Sequence, residues 1–290
     1  MKNIASYFGA ILSLICLNGF AQDGSRDLSF GNNGVVITDL FEQDESDDNV
    51  YVAVQDPNER IIVAGKSESI LGDQLFVIAY LEDGTIDSSF GDNGIVLADF
   101  EFTYINRMLI QSDGKIILGK GSGDNLWLKR ILPNGDNDLT FGDNGNLILF
   151  PNEGYSVGFV LTSDDKILIS AVNNDDDFVL KQFLKDGEID LSFGQNGTID
   201  YEFGNSANQP KGQIQLMDDG GFMVGLKIID NGETSNIMVK FNENGDIDMS
   251  YGIDGIITNP LPIPNTCAPL VFANGDVLSR CQYWNSSTES

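Results

Sequence analysis

The sequence predicts an all-β fold, a β-propeller of four-stranded antiparallel blades, on three observations. An eleven-residue motif occurs five times, at residues 24–34, 84–94, 135–145, 187–197 and 245–255. Four short apolar stretches recur from one copy to the next, and no stretch sustains a helical period. The motif aromatics Phe30, Phe90, Phe141, Phe193 and Tyr251 stand 60, 51, 52 and 58 residues apart. One sheet of that size cannot bury both faces alone, so neighbouring copies must stack. Four strands per repeat around an axis is the propeller pattern. Five motifs match the five junctions of a five-bladed ring. The first motif, with no strand before it, then joins the last blade to the first. The alternative is an open fragment of a longer array.

Each motif reads Gly, two residues, Asp, one residue, Ser or Thr, Phe or Tyr, Gly, one residue, Asn or Asp, Gly, with Gln195 preceding Asn196 in the fourth copy. An Asp-Gly or Asn-Gly opens the copies and supplies the positive φ of a tight turn. Asp27, Asp87, Asp138, Asp190 and Asp248 can accept backbone N–H groups as Asx-turns, and the Ser or Thr two residues on can do the same more weakly. The lone aromatic fills a gap in a core. The closing Gly launches the next strand. A functional reading of these Asp-rich turns is a calcium loop, but the spacing is not that of the EF-hand.

A short apolar strand follows each motif, at 35–40, 95–100, 146–150, 198–203 and 256–259, and is taken as the first of its unit. The second strand alternates. Val50, Val52 and Val54 share one face, as do Met108 and Ile110, then Val157, Phe159 and Leu161, then Ile214 and Leu216. Turns such as Ser112-Asp113-Gly114-Lys115 lead to a third, strongly apolar strand. The fourth runs into the next motif and carries Tyr80, Ile131, Phe183 or Phe241 four residues before its first Gly. In the fifth unit it falls at 281–284, poorly marked.

Residues 1–21 read as a secretory signal peptide: Lys2, an apolar run over 4–17, and a small-x-small site ending at Ala21. The run is shorter than the ~20 apolar residues a membrane span needs. The mature domain is 22–290. The chain carries 44 acids against 16 bases, a net charge of −28. That repels nucleic acid and anionic lipid and favours cations or cationic partners. The mature cysteines, Cys267 and Cys281, flank Asn274 symmetrically, so a hairpin turning there brings them face to face for a cross-strand disulfide; Pro269 can shift that register.

Asp87-Ser88-Ser89-Phe90-Gly91-Asp92-Asn93-Gly94 with Ile95-Val96-Leu97, then Gln111-Ser112-Asp113-Gly114-Lys115-Ile116-Ile117, resembles the delta-60 repeat of bacterial secreted proteins. The resemblance covers essentially the whole mature chain. It implies a β-propeller on the surface of, or outside, a Gram-negative cell, in the periplasm, secreted, or held by a partner. It brings no catalytic residues. Relatives are often exported by the type IX route through a C-terminal sorting domain, for which 290 residues leave no room.

The chain has no histidine, which removes Ser-His-Asp and Cys-His catalysis and His-bearing zinc or copper sites. No Gly-rich phosphate loop opens a helix. Carboxylates remain. Five residues past the motif's last Gly stand Asp39, Asp99, Phe150, Glu202 and Pro260. On the innermost strands of a ring, Asp39, Asp99 and Glu202 form an acidic cluster at one mouth of the channel, able to hold Ca2+ or a cationic group. Trp127, flanked by Leu126 and Leu128, belongs to a core; Trp284 is the other tryptophan. The functional expectation is a monomeric, non-catalytic scaffold for a protein or glycan partner, without a cofactor. The alternatives are a carboxylate-based glycan enzyme, with two acids across a pocket, and a calcium-stabilised module.

Overall fold

The computed structural model describes residues 26–40, 47–69, 72–98, 104–122, 125–149, 155–173, 177–203, 206–209, 214–230, 233–259, 267–271 and 277–281. Residues 1–21, expected to be a signal peptide, lie outside them, as do Asp99 and Trp284. Among the described residues there is no helix, hence none long and apolar enough to cross a membrane.

The first sheet runs β1 (Asp47–Gln55), β2 (Ile61–Ser69), β3 (Gly72–Tyr80), β4 (Ile95–Ala98), each strand antiparallel to the next. The second repeats the order with β5 (Arg107–Ile110), β6 (Ile116–Ser122), β7 (Asn125–Ile131) and β8 (Asn146–Leu149). The third has β9 (Tyr155–Leu161), β10 (Ile167–Val172), β11 (Phe178–Phe183) and β12 (Thr198–Tyr201). In the fourth, the first strand is broken into β13 (Ser206–Gln209) and β14 (Ile214–Leu216), both along β15 (Phe222–Asp230), followed by β16 (Glu233–Phe241) and β17 (Ile256–Asn259). The fifth position holds a hairpin, β18 (Cys267–Val271) and β19 (Val277–Cys281), whose first strand lies against β14 and β15. These are blades of a β-propeller, each sheet stacked on the one before.

One expectation is corrected. The strand after each of the second to fifth motifs does not open a new sheet; it closes the sheet that precedes the motif, and after the first motif residues 35–40 form no strand. Ile78 pairs with Ile95 and Leu75 with Ala98, so residues 81–94 form a loop inside the first blade. The cause is local. The Asp87 N–H donates to the Ala79 carbonyl at 2.9 Å, and the Ala79 N–H donates to the Gly94 carbonyl at 3.1 Å, which turns the chain back beside β3. Gly91 makes this loop possible: its φ is +55°, and a Cβ there would stand 2.4 Å from the Ile95 carbonyl oxygen.

The apolar pattern explains the stacking. The second strand of the second, third and fourth sheets is buried on both faces, which is why it reads as a continuous apolar run. On β6, Ile116 and Leu118 pack with Ile62, Val77 and Phe90 of the first sheet, while Ile117 packs with Phe159 and Ile169 of the third. The third and fourth sheets share a core of Leu180, Phe193, Val224 and Phe241. Within it Phe222 and Phe241 stack at 5.1 Å. Trp127 is half-buried against the core of the first two sheets. Among the described side chains, which do not include Val157, the alternating strands bury the expected faces with one exception. Val52 and Val54 face the core, but Val50 is 62% exposed, because a bulge between Val50 and Val52 breaks the alternation.

The first and second sheets approach through their first strands, β1 to β5, as do the third and fourth, β9 to β14; between the second and third, β9 lies against β6 and β7. That edge faces the axis, and β4, β8, β12 and β17 form the opposite, outer edge. Residues 26–40 pack on the free side of the first sheet, where Val36 and Leu40 meet Phe76, Ile78 and Tyr80. Gly84 approaches Phe30 there as Gly187 approaches Phe141 two junctions later. The first motif therefore occupies the place of the motif of a preceding blade.

Candidate functional site

The motif carboxylate organises each junction. It accepts the N–H two residues on: Asp27 from Ser29, Asp87 from Ser89, Asp138 from Thr140, Asp190 from Ser192 and Asp248 from Ser250, at 2.9 to 3.1 Å. The Ser and Thr hydroxyls, expected from their type to bond to backbone, donate to the same carboxylate oxygen at 2.5 to 2.6 Å. A charged acceptor outcompetes a neutral one.

The second oxygen of four of these carboxylates faces a cation. Asp87 meets Arg60 at 2.9 Å and Asp190 meets Lys166 at 3.0 Å. Asp248 meets Lys240 at 2.9 Å, and Asp138 meets Arg130 at 2.8 Å with Lys115 at 3.7 Å. The base comes from either of two places. Arg60, Lys115 and Lys166 immediately precede the second strand of their sheets, whereas Arg130 and Lys240 lie on the third. Where the turn position is Gly221 the strand supplies Lys240; where the strand has Ala79 or Gln182 the turn supplies the base. This exchange was legible by aligning the repeats, but only with the knowledge that the two positions converge.

The pairs hold their carboxyls low. The Ser89 hydroxyl, then Arg60, lower Asp87, and the Ser192 hydroxyl, with Lys166 also contributing, lowers Asp190. Burial opposes the charge on Asp138, yet Thr140, Arg130 and Lys115 keep it low. The Ser250 hydroxyl, then Lys240, bring Asp248 to about 2. A carboxylate whose folded value lies below its unfolded value of about 3.9 adds stability that is complete above that pH. The contribution is lost as pH falls through the folded value. Between about pH 6 and 4, protonation of exposed acids relieves self-repulsion and works the other way. Urea midpoints are therefore expected to fall only below about pH 4, most steeply towards pH 2, and Asp87→Asn is expected to flatten that fall. An unchanged slope in Asp87→Asn would argue against the pairing.

Arg60 and Arg130 also clamp their sheet to the next. Arg60 Nη2 donates to the Pro133 carbonyl at 3.0 Å. Arg130 Nη1 donates to the Lys185 carbonyl and, at 3.1 Å, to Gln111 Oε1; Gln111 Nε2 donates to the same Lys185 carbonyl at 2.9 Å. Pro133 and Lys185 hold equivalent places, each just before the Asn-Gly or Asp-Gly that opens a motif. A backbone link accompanies the clamp: the Gly31, Gly91 and Gly142 N–H groups donate to the Asp83, Asn134 and Asp186 carbonyls at 2.7 to 2.9 Å.

The junction of the third and fourth sheets differs. Gly245 still approaches Phe193 and Ile199, so the sheets touch. Among the described residues, however, Gly194 makes no link to Asn244, and no side chain reaches the Glu243 carbonyl, the counterpart of those of Pro133 and Lys185. Thr162, which stands where Gln111 stands, is too short to cross; its hydroxyl donates to Asp164 at 2.6 Å. A cleft of about 1040 Å³ opens there, lined by Thr162, Lys166, Gln182, Ser192, Phe193 and Glu243 among others. It is the candidate site, and sequence reasoning missed it.

Of the acids expected to cluster, Asp39 and Glu202 are exposed. Glu202 follows β12 on the outer edge of the third sheet, and Asp39 lies in the segment ahead of the first sheet. Both differ from the innermost position expected, because the strand after a motif is the last of its sheet. Asp99 lies outside the described residues and is not placed with them. Among the described residues no group of three or more Cys, Asp or Glu is arranged to hold a metal ion. Cys267 and Cys281 are direct partners in the register of β18 and β19, and Pro269 leaves that register intact.

The class defined by this geometry is a β-propeller in which one junction among its described blades lacks the arginine clamp and is bridged instead by Tyr201 Oη, which donates to the Gly245 carbonyl at 2.7 Å. No family model matches the chain, and no curated protein does. Solved structures with a likeness include a protein of unknown function from Bacteroides caccae, at 16% identity and TM-score 0.42, covering 71% of this chain and 61% of that one. NanB sialidase from Streptococcus pneumoniae has 14% identity and TM-score 0.43 over 76% of this chain and 34% of its own. The WD40 β-propeller domain of Doa1 has 13% identity and TM-score 0.26 over 80% and 90%. Likeness at this level carries no argument about function; the propeller assignment rests on the sheets themselves.

Proposed function

We propose that this protein is a secreted or cell-envelope β-propeller that acts as a non-catalytic binding scaffold, and that the cleft between its third and fourth sheets is where it binds. One observation carries the reading: the arginine clamp present at two junctions is absent at this one, where Tyr201 Oη donates to the Gly245 carbonyl at 2.7 Å instead and polar groups face the gap. The delta-60 resemblance and the leader-like residues 1–21 support a place outside the cytoplasm. A carboxylate enzyme needs one acid held protonated. In the cleft, Asp164 is shifted the other way, principally by the Thr162 hydroxyl.

The test is capture from native envelope and culture medium, paired with a glycan array, using two variants. Gln195→Trp places bulk in the cleft; Asp92→Trp does the same at the equivalent position of a clamped junction. Loss of the partner with Gln195→Trp alone is the expected result. Retention by both variants would move the binding face elsewhere.

We also propose that Cys267 and Cys281 are joined. Direct antiparallel partners have Cα atoms about 4.5–5.5 Å apart, within disulfide range. Intact mass of the secreted protein is expected to lie two hydrogens below the reduced value and to rise on reduction. Free thiols in freshly purified material would refute the bridge.

A further inference from the structure

We propose that the cleft binds a guanidinium group, the end of an arginine side chain carried by a partner polypeptide. This rests on the cleft being the binding site and adds the chemistry of its ligand.

The clamped junctions show what belongs there. Arg60 and Arg130 each place a guanidinium against the carbonyl that precedes the next motif. Each also lies over the aromatic of its own motif: Arg60 is 5.8 Å from the Phe90 centroid and Arg130 is 4.6 Å from that of Phe141. Lys240 stands 5.8 Å from Tyr251 in the same manner. Phe193 lines the cleft with no such cation over it among the described residues.

The acceptors that hold Arg130 have counterparts around the gap. Arg130 donates to Asp138, Gln111, the Lys185 carbonyl and Thr140. In the third blade these positions are Asp190, Thr162, the Glu243 carbonyl and Ser192. Gln182 takes the place of Arg130. It is only 5% exposed, lines the cleft, and its amide makes no hydrogen bond among the described residues. The amide opens onto the cleft, and an entering N–H donor would bond its oxygen.

Charge selects the sign of the ligand. Asp164, Asp200, Glu243 and Asp246 line the cleft against Lys166. Lys166 is already engaged by Asp190 at 3.0 Å and Asp164 at 3.5 Å. An anion is therefore repelled. Shape then separates the cations. A planar fork of five N–H donors suits acceptors spread around an aromatic face better than a compact ammonium does.

The test titrates the full chain calorimetrically with acetyl-Ala-Arg-Ala amide, the same peptide with citrulline in place of arginine, and free L-arginine. Citrulline keeps the shape and loses the charge. The arginine peptide is expected to bind about tenfold or more tightly than the citrulline peptide, and free L-arginine, with its carboxylate, more weakly than the arginine peptide. Gln182→Arg supplies the guanidinium from within, as Arg130 does, and is expected to abolish binding. If that variant fails to fold, Glu243→Lys decides, with an expected several-fold weakening. Equal binding of both peptides overturns the guanidinium assignment. Free arginine binding as tightly as the peptide overturns the polypeptide source. Binding that survives both variants overturns the location. No binding of any probe, together with partner loss in Gln195→Trp, refutes the ligand class while leaving the cleft as a binding site.

Discussion

Arg130→Met is expected to lower the free energy of unfolding by about 3–5 kcal/mol, the range for removing one partner of a buried ion pair. Arg130 is 2% exposed and its partner Asp138 is 3% exposed. Without the guanidinium, Asp138 keeps Lys115, at 3.7 Å, and the Thr140 hydroxyl. The Lys185 carbonyl loses one of its two side-chain donors, which loosens the second junction as well as the second blade. Methionine restores most of the volume, so the loss reports the charge and its hydrogen bonds rather than a cavity. Urea denaturation of Arg130→Met, Asp138→Asn and the double variant measures this. The double variant is expected to be more stable than the sum of the single effects implies, because a neutral pair leaves no unpaired buried charge. A loss under about 1 kcal/mol in Arg130→Met would mean that Lys115 suffices.

Phe141→Ala is expected to cost a further class of energy of the same size, about 3–5 kcal/mol, through the lost transfer of the ring and the cavity left behind. The ring is 0% exposed and lies in the core between the second and third sheets, with the Arg130 guanidinium over one face and Gly187 close to its edge. Neighbouring atoms cannot collapse into the space, because Gly187 is held by the φ of +87° that its turn requires. The same substitution at half-buried Phe30 is expected to cost less, since only one described sheet packs on it. The Phe141 and Arg130 losses are not expected to add, as the two side chains touch. Urea midpoints of Phe30→Ala, Phe141→Ala and the Phe141→Ala, Arg130→Met pair check all three statements. Equal costs at Phe30 and Phe141 would show that the two junctions are packed alike.

Much of the architecture is legible in local chemistry. Gly84, Gly94 and their repeats adopt the positive φ that Asp-Gly and Asn-Gly turns require, and Asp27, Asp87, Asp138, Asp190 and Asp248 make the Asx-turns that their spacing implies. These bonds span two residues, so a short stretch of sequence contains both partners. Burial of Phe90, Phe141 and Phe193 is equally legible, because each is the one large aromatic in a polar segment. The Cys267–Cys281 register follows from the symmetry of its turn.

What the chain alone determined is therefore the repeat, its turns, its strands and the residues that must be covered. Only the folded structure decided which sheet each outer strand joins, which base neutralises each motif carboxylate, and which junction lacks the arginine clamp. Those outcomes join groups far apart along the chain: Arg60 meets the Pro133 carbonyl across 73 positions, and Gln111 meets that of Lys185 across 74. Contacts of that span leave no periodic trace, since either of two positions can supply the same cation. An absent clamp, such as the one at Thr162, shows only when the blades are set side by side.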